Sequence, residues 1–310
     1  MSLTHRLDRA AGLPAAYRLV DAGFFGVLAV ALAACYATGM PLAGIAAVVL
    51  AGFGLEYAVS GVVTDGIFRG VEWADEAPPR LRRIVAEVAA DFGVPAPTVV
   101  VDPESPGGVN ILGDGDRTVL IVSEALAERL DDGPLRAVVA HEIAHVALGH
   151  LRQVPVRVAV THVVGLAAVW VVALRHVPPQ IAMVGGGVFL VAGVARSNGV
   201  NAVVYVVASA GVVVVMRALA ARASRLEECH ADDVAVEHAG ETDFCTGLYA
   251  VGSVGAPDDA VAGAAPFAIR RTRLERLTAV HPSIEHRLAR HGVVLADVAD
   301  RAASERVADD

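Results

Sequence analysis

The sequence predicts an α+β membrane protein, with about four transmembrane helices and a soluble part built around a small antiparallel sheet. Three observations predict this. Long uncharged apolar runs recur along the chain, short β-branched segments sit between turn residues, and helical periods flank both. The 310 residues are 55% hydrophobic, with a mean hydropathy of +0.54. Ordinary soluble domains lack such sustained apolar runs.

Residues 19–37 carry one charge, Asp21, and residues 42–63 carry only Glu56. Each run is long enough to cross a hydrocarbon core as a helix of about 20 residues. Gly39 and Pro41 supply the turn between them. A cleaved leader is disfavoured, because the second run follows almost at once. All 25 basic residues are Arg. Arg6, Arg9 and Arg18 precede the first run, and Arg69, Arg80, Arg82 and Arg83 follow the second, whereas the connection between them is uncharged. The positive-inside tendency therefore puts both flanks, and residues 64–152, in the cytoplasm.

Residues 79–92 repeat apolar side chains with a helical period. Thr98-Val99-Val100-Val101 reads as a strand between prolines. Residues 108–112 and 118–122 flank Gly113-Asp114-Gly115-Asp116, a hairpin signal. Ser123 caps a short helix through Leu130, and Asp132-Gly133-Pro134 opens the next one.

That helix carries His141-Glu142-Ile143-Ala144-His145. Residues four apart share a helical face, so the two imidazoles converge on one point, as a divalent metal requires. The spacing marks a catalytic zinc and a zincin-like catalytic domain, with one Zn2+ per chain. Glu142 stands beside the ligands as the base that takes a proton from zinc-activated water. His150, read as lying on the same helix, falls about 140° round from His145 and is set aside.

Beyond the helix lie three apolar pieces, residues 156–174, 181–195 and 202–216. The last two, about 15 residues each, are short for a full crossing. An even number of crossings must separate the His pair from a later ligand, so the first piece crosses and the chain returns once, with one or the other of the two short pieces a re-entrant or kinked part of that return. Residues 218–238 read as one helix holding Glu228 and Asp232, four apart on one face. One of them can ligate while the other accepts a ligand histidine's second N–H. Cys229 and His230 point elsewhere on that helix, and His162 is a packed or locally paired histidine in an apolar span. The expected layout is a transmembrane pair over 1–63, a first catalytic part over 64–153, a distal membrane segment over 154–217 and a second catalytic part over 218–310.

With these residues assembled, the chain resembles the HtpX-like family of membrane zinc metalloproteases, which includes the CAAX prenyl proteases. The resemblance covers roughly residues 109–288. Its Glu-x-x-x-Asp motif falls on Glu228 and Asp232, and its Ser-Arg on Ser224-Arg225. Its edge strand falls on Val109-Asn110-Ile111, followed by Ser123-Glu124-Ala125-Leu126, and its His-Pro…Arg-Leu on His281-Pro282 and Arg287-Leu288. The resemblance implies Glu228 as third ligand, Asp232 as its outer support, and His281 and Arg287 near the reaction centre. It also implies a multi-pass cell-membrane protease, with its site on the cytoplasmic face, cleaving polypeptides drawn from membrane proteins. Prenyl-protein processing and a proteolytically silent zinc-binding scaffold or chaperone are the rival expectations. The net charge of −9 argues against nucleic acid as a partner. Three scattered cysteines imply no disulfide framework.

Overall fold

The computed structural model describes residues 15–71, 77–103, 108–113, 117–173, 199–253 and 281–298. Two units are distinct: Ala15–Val63 with Gln153–Ala223, and Thr64–Arg152 with Ser224–Asp310. The apolar piece at residues 181–195 lies outside the described residues.

In the first of these units, helices α1 (Ala15–Ala37) and α2 (Leu42–Val71) are joined at Gly39-Met40-Pro41. Within them, Leu19–Ala37 and Leu42–Gly66 are long and apolar enough to cross a membrane. Their apolar side chains, among them Leu19, Val30, Leu50, Tyr57 and Val62, are exposed. Helix α6 (His150–Ala173) runs through Pro155, and its Ala167 and Trp170 pack with Cys35 and Met40. Glu56 is buried, accepts a hydrogen bond from the Ser60 hydroxyl at 2.6 Å, and lies 3.7 Å from His162 Nδ1. His162 thus lies beside Glu56, but its buried Nδ1 is beyond hydrogen-bonding distance of that carboxylate. All three cysteines are free thiols.

The other unit is built on helix α3 (Pro79–Phe92), which buries Leu81, Ile84, Val85, Val88, Ala89 and Phe92 along one stripe. Each large apolar side chain so buried contributes about 1.5–3 kcal/mol. Strands β1 (Thr98–Asp102), β2 (Val109–Gly113) and β3 (Thr118–Ser123) follow. The order is β1-β3-β2, with β2 antiparallel to β3 but β1 parallel to it. The sheet is therefore mixed, not antiparallel as expected. Strands β2 and β3 pair antiparallel, as expected of the segments flanking residues 113–116. Strand β1 pairs with β3 on the side away from β2 and runs the same way as β3. Strand β3 is apolar on both faces and takes the buried centre, whereas β2 alternates buried and exposed residues and stays at an edge.

Ser123 occupies the N-cap of α4 (Glu124–Arg129), although its hydroxyl makes no capping bond. Helix α5 (Asp132–Ala147) is the central element, buried along Leu135, Val139, Ala140, Ile143 and Ala144. Its first turn is tied to α3. Asp132 accepts from Arg80 at 2.6 Å and from Arg83 at 2.8 Å, and Arg80 also donates to the Leu130 carbonyl. Helix α8 (Glu241–Ser253) lies hard against α5 at Gly247, where an added Cβ would fall 2.6 Å from Val138 Cγ2. Only glycine permits this approach. Helix α7 (Gly199–Ala239) is a single 41-residue helix. The short apolar piece 202–216 and the acidic helix 218–238, read as separate, are one element. Helix α9 (Ile284–Arg290) is capped by the Ser283 hydroxyl, which accepts the His286 N–H.

Candidate metal centre

Helix α5 presents His141 and His145 one turn apart, as the sequence spacing requires, and α7 brings Glu228 to them. The two Nε2 atoms are 3.4 Å apart. His141 Nε2 lies 3.6 Å and His145 Nε2 3.5 Å from the Glu228 carboxylate oxygens. One ligand atom from each residue falls within 4.8 Å of the others. Tetrahedral zinc with bonds of about 2.05 Å needs donors about 3.3 Å apart. The donor types and spacings therefore fit a small divalent cation bound by two imidazoles and a carboxylate, with a fourth position left for solvent or substrate.

Each donor is oriented from behind. His141 Nδ1 lies 3.0 Å from Asp232 Oδ1, and Asp232 is fully buried. Arg287 donates to Asp232 through Nε at 2.9 Å and through Nη2 at 2.5 Å, and its Nη1 lies 3.4 Å from Glu228 Oε2. All three guanidinium nitrogens thus face carboxylates. His281 Nδ1 lies 3.3 Å from Glu228 Oε1, with its side chain 63% exposed.

Glu142 lies outside the donor cluster. Its Oε2 accepts the Ile111 N–H at 3.1 Å. That amide belongs to β2, the edge strand, and it points away from β3. Among the described residues no strand covers this edge.

The electrostatics follow from burial and pairing. Burial, helped by the Glu228 charge and opposed by His141 and Arg287, pushes the Glu142 carboxyl up to about 7. Burial and the Arg287 charge pull His141 down, but hydrogen bonds to Asp232 and Glu228 prevail and lift it to about 9. His145 falls to about 3, through burial and the neighbouring His141 charge. Burial would raise Asp232, yet the His141 hydrogen bond and the Arg287 charge bring it to about 2. Glu228 is likewise held far below the usual carboxylate range, because hydrogen bonds from His141 and His281 outweigh its burial. His281 is raised by its bond to Glu228.

The sequence reading missed His150. Its spacing places it on one helix with His145, but α5 ends at Ala147, with Leu148 as its C-cap, and Gly149 adopts φ 73°. The chain turns back, and His150 Nδ1 comes to 2.9 Å from His145 Nδ1. Gly149 itself was the available signal, since glycine is the usual left-handed residue at a helix end. His230 is also not remote: it is buried, with its ring centroid 5.9 Å from that of His150. Cys229 is half-buried, and burial raises its thiol above the ordinary value.

The profile of peptidase family M48 matches residues 76–291, well over half of the chain. The chain belongs to peptidase family M48. M48 membership implies a metalloprotease and a divalent metal, for which the His141, His145 and Glu228 cluster is suited. Curated relatives include a protease HtpX homolog of Syntrophobacter fumaroxidans, 32% identical over 91 residues, or 29% of this chain and 32% of that protein. Protease HtpX homolog 1 of Streptomyces coelicolor is 33% identical over 96 residues, 31% of this chain and 32% of its own length. The aligned stretch thus spans about a third of the curated relatives. Among solved structures, S. mikatae Ste24p superposes with a TM-score of 0.56 at 12% identity, covering 88% of this chain and 64% of that one. This likeness is one of fold.

Proposed function

We propose that the chain is an integral-membrane zinc endopeptidase of the gluzincin type, with one Zn2+ per chain, acting on membrane proteins in quality control. The catalytic part would comprise residues 64–153 and 218–310. The membrane part, 1–63 and 154–217, would make about four crossings and leave the site on the cytoplasmic side. The exposed apolar faces of α1 and α2 and the arginines flanking them support this.

The observation that carries the reading is the convergence of His141 Nε2, His145 Nε2 and the Glu228 carboxylate, whose ligand atoms lie within 4.8 Å of one another, with Glu142 beside them but not among them. A zinc ion held there supplies Lewis acidity, making a water acidic and a peptide carbonyl electrophilic. The chain's own residues do the rest. Glu142, held by the Ile111 N–H, takes the water proton and later returns it to the leaving amine. Asp232 fixes the His141 ring, and Arg287 fixes Asp232 and braces Glu228. His281, exposed next to Glu228, is placed to donate to the substrate carbonyl oxygen. The uncovered edge of β2 offers an extended substrate backbone a strand to pair with.

Replacing Glu142 by Gln should abolish chelator-sensitive digestion of an unfolded polypeptide in detergent while zinc stays bound. Retained cleavage by the purified variant would overturn the mechanism. Zinc bound by the wild type with no cleavage of any unfolded polypeptide would favour a silent scaffold. Glu142 must be ionised to act, so activity should fall as pH drops through its pKa. A bound dication lowers that pKa, which puts the acidic limb at or below pH ~7.

A further inference from the structure

We infer that His150 is a positioning residue for the metal centre, one that fixes the tautomer and ring orientation of His145. This rests on the proposed metal site and goes beyond it, because His150 is outside the donor cluster.

The two nitrogens of His145 face different partners. Nε2 points at Glu228 and at His141 Nε2, at 3.5 Å and 3.4 Å, and is the nitrogen a cation would take. Nδ1 faces His150 Nδ1 at 2.9 Å, a full hydrogen bond. A neutral imidazole that gives Nε2 to a metal must carry its proton on Nδ1. His145 therefore donates, and His150 Nδ1 accepts. His150 must then hold its own proton on Nε2. Asp232 does the same for His141, so each ligand histidine has its own acceptor, one a carboxylate and one an imidazole.

The acceptor is built in place. Gly149, at φ 73°, ends α5 and turns the chain so that the first residue of α6 returns to the last turn of α5. His150 is 5% exposed. Its ring meets His145 edge-on at a 5.1 Å centroid distance, with His230 at 5.9 Å beyond. An acceptor so enclosed holds one geometry, whereas solvent would leave the His145 ring free to turn.

The test separates the acceptor atom from the ring. His150→Asn keeps an acceptor atom where Nδ1 stands, and His150→Phe keeps the ring without one. Zinc affinity of the full-length protein in detergent is measured by competition with a chromogenic chelator, and the cobalt-substituted visible spectrum reports ligand geometry. Loss of an outer partner typically lowers metal affinity 10- to 100-fold. The expected result is that loss for Phe, with a changed cobalt spectrum, and affinity within a few-fold of wild type for Asn. Equal binding by wild type and the Phe variant overturns the inference and leaves the proposed metal site standing. Equal loss in both variants also overturns it, because the ring and not its acceptor then matters. If the wild type binds no zinc, the proposed function itself falls. Should the Phe variant not fold, histidine-selective 15N spectra of the zinc-loaded wild type decide the question. A proton on His145 Nδ1 shared with a His150 nitrogen is expected, and a solvent-exchanging Nδ1–H refutes the contact.

Discussion

Arg287 and Asp232 form the pair on which the centre's outer ring turns, and a double-mutant cycle measures their coupling. Asp232 is wholly buried and Arg287 nearly so. Two charge-assisted hydrogen bonds join them, at 2.9 Å and 2.5 Å, each worth about 1.5–3 kcal/mol. Arg287→Met strips both from a carboxylate that keeps only His141 Nδ1, at 3.0 Å. Breaking a buried pair from one side costs about 3–5 kcal/mol, mainly because the remaining charge is stranded. Asp232→Asn strands the guanidinium in the same way, leaving it the Glu228 carboxylate at 3.4 Å and the His141 ring at 3.4 Å. The double variant strands neither. It should lose about 2 kcal/mol less than the sum of the singles, high in the range for residues in contact. The assay is urea unfolding of the metal-free protein in one detergent, read by pulse proteolysis. Additivity within about 0.5 kcal/mol would refute the pairing as a stabilising contact.

Other perturbations probe the frame that carries the site. Gly247→Ala would place a methyl 2.6 Å from Val138 Cγ2 and 2.8 Å from the Pro134 carbonyl. It should cost about 1–3 kcal/mol by overpacking α8 on α5, and an unchanged unfolding midpoint would contradict the contact. His238 packs edge-on to Phe92 and is held below the ordinary histidine range by burial, which outweighs the nearby Asp91. The folded state then binds fewer protons than the unfolded one just below pH ~6.5, so stability falls as pH drops through that window. His238→Gln should flatten this acid loss in thermal melts at pH 7.5 and 5.5. Equal losses in wild type and variant would rule it out.

Local signals were legible in the sequence. The period of residues 79–92, the strand pair flanking residues 113–116, the prolines round β1 and the four-residue His spacing each depend on neighbours in the chain, and each formed as expected. Long-range choices were not legible. Nothing within Thr98–Asp102 says that it should pair with β3 and run parallel to it. Strand β3 is buried on both faces and takes the centre of the sheet, which leaves its second edge to β1, but the direction of β1 is a property of the whole chain path. The one local signal passed over was Gly149. Its left-handed turn moves His150 from the far side of a presumed helix to the His145 ring. The fused helix α7 was hidden for a different reason. Its change from apolar to acidic composition looks like a boundary, yet a helix needs no uniform composition to continue, only the absence of a breaker.

Charge balance gives the strongest physical reason for a dication at this centre. With neutral histidines, Glu142, Glu228 and Asp232 ionised, and Arg287 positive, the enclosed cluster carries a formal charge of about −2, which a low-dielectric site cannot hold uncompensated. Two shifts show how the metal-free protein relieves it. His141 keeps a proton up to about 9 and Glu142 up to about 7, so protons stand where the ion's charge would be. Zinc must displace them, and its affinity should therefore rise with pH, tenfold per unit for each proton released. The slope of log affinity against pH should be at least one between pH 7 and 9, where His141 gives up its proton. It should steepen toward two below pH 7, where Glu142 joins. Calorimetry in buffers of differing ionisation enthalpy counts the same protons directly. A flat profile from pH 6 to 9, with no buffer dependence, would mean that zinc binds somewhere other than among these carboxylates and imidazoles.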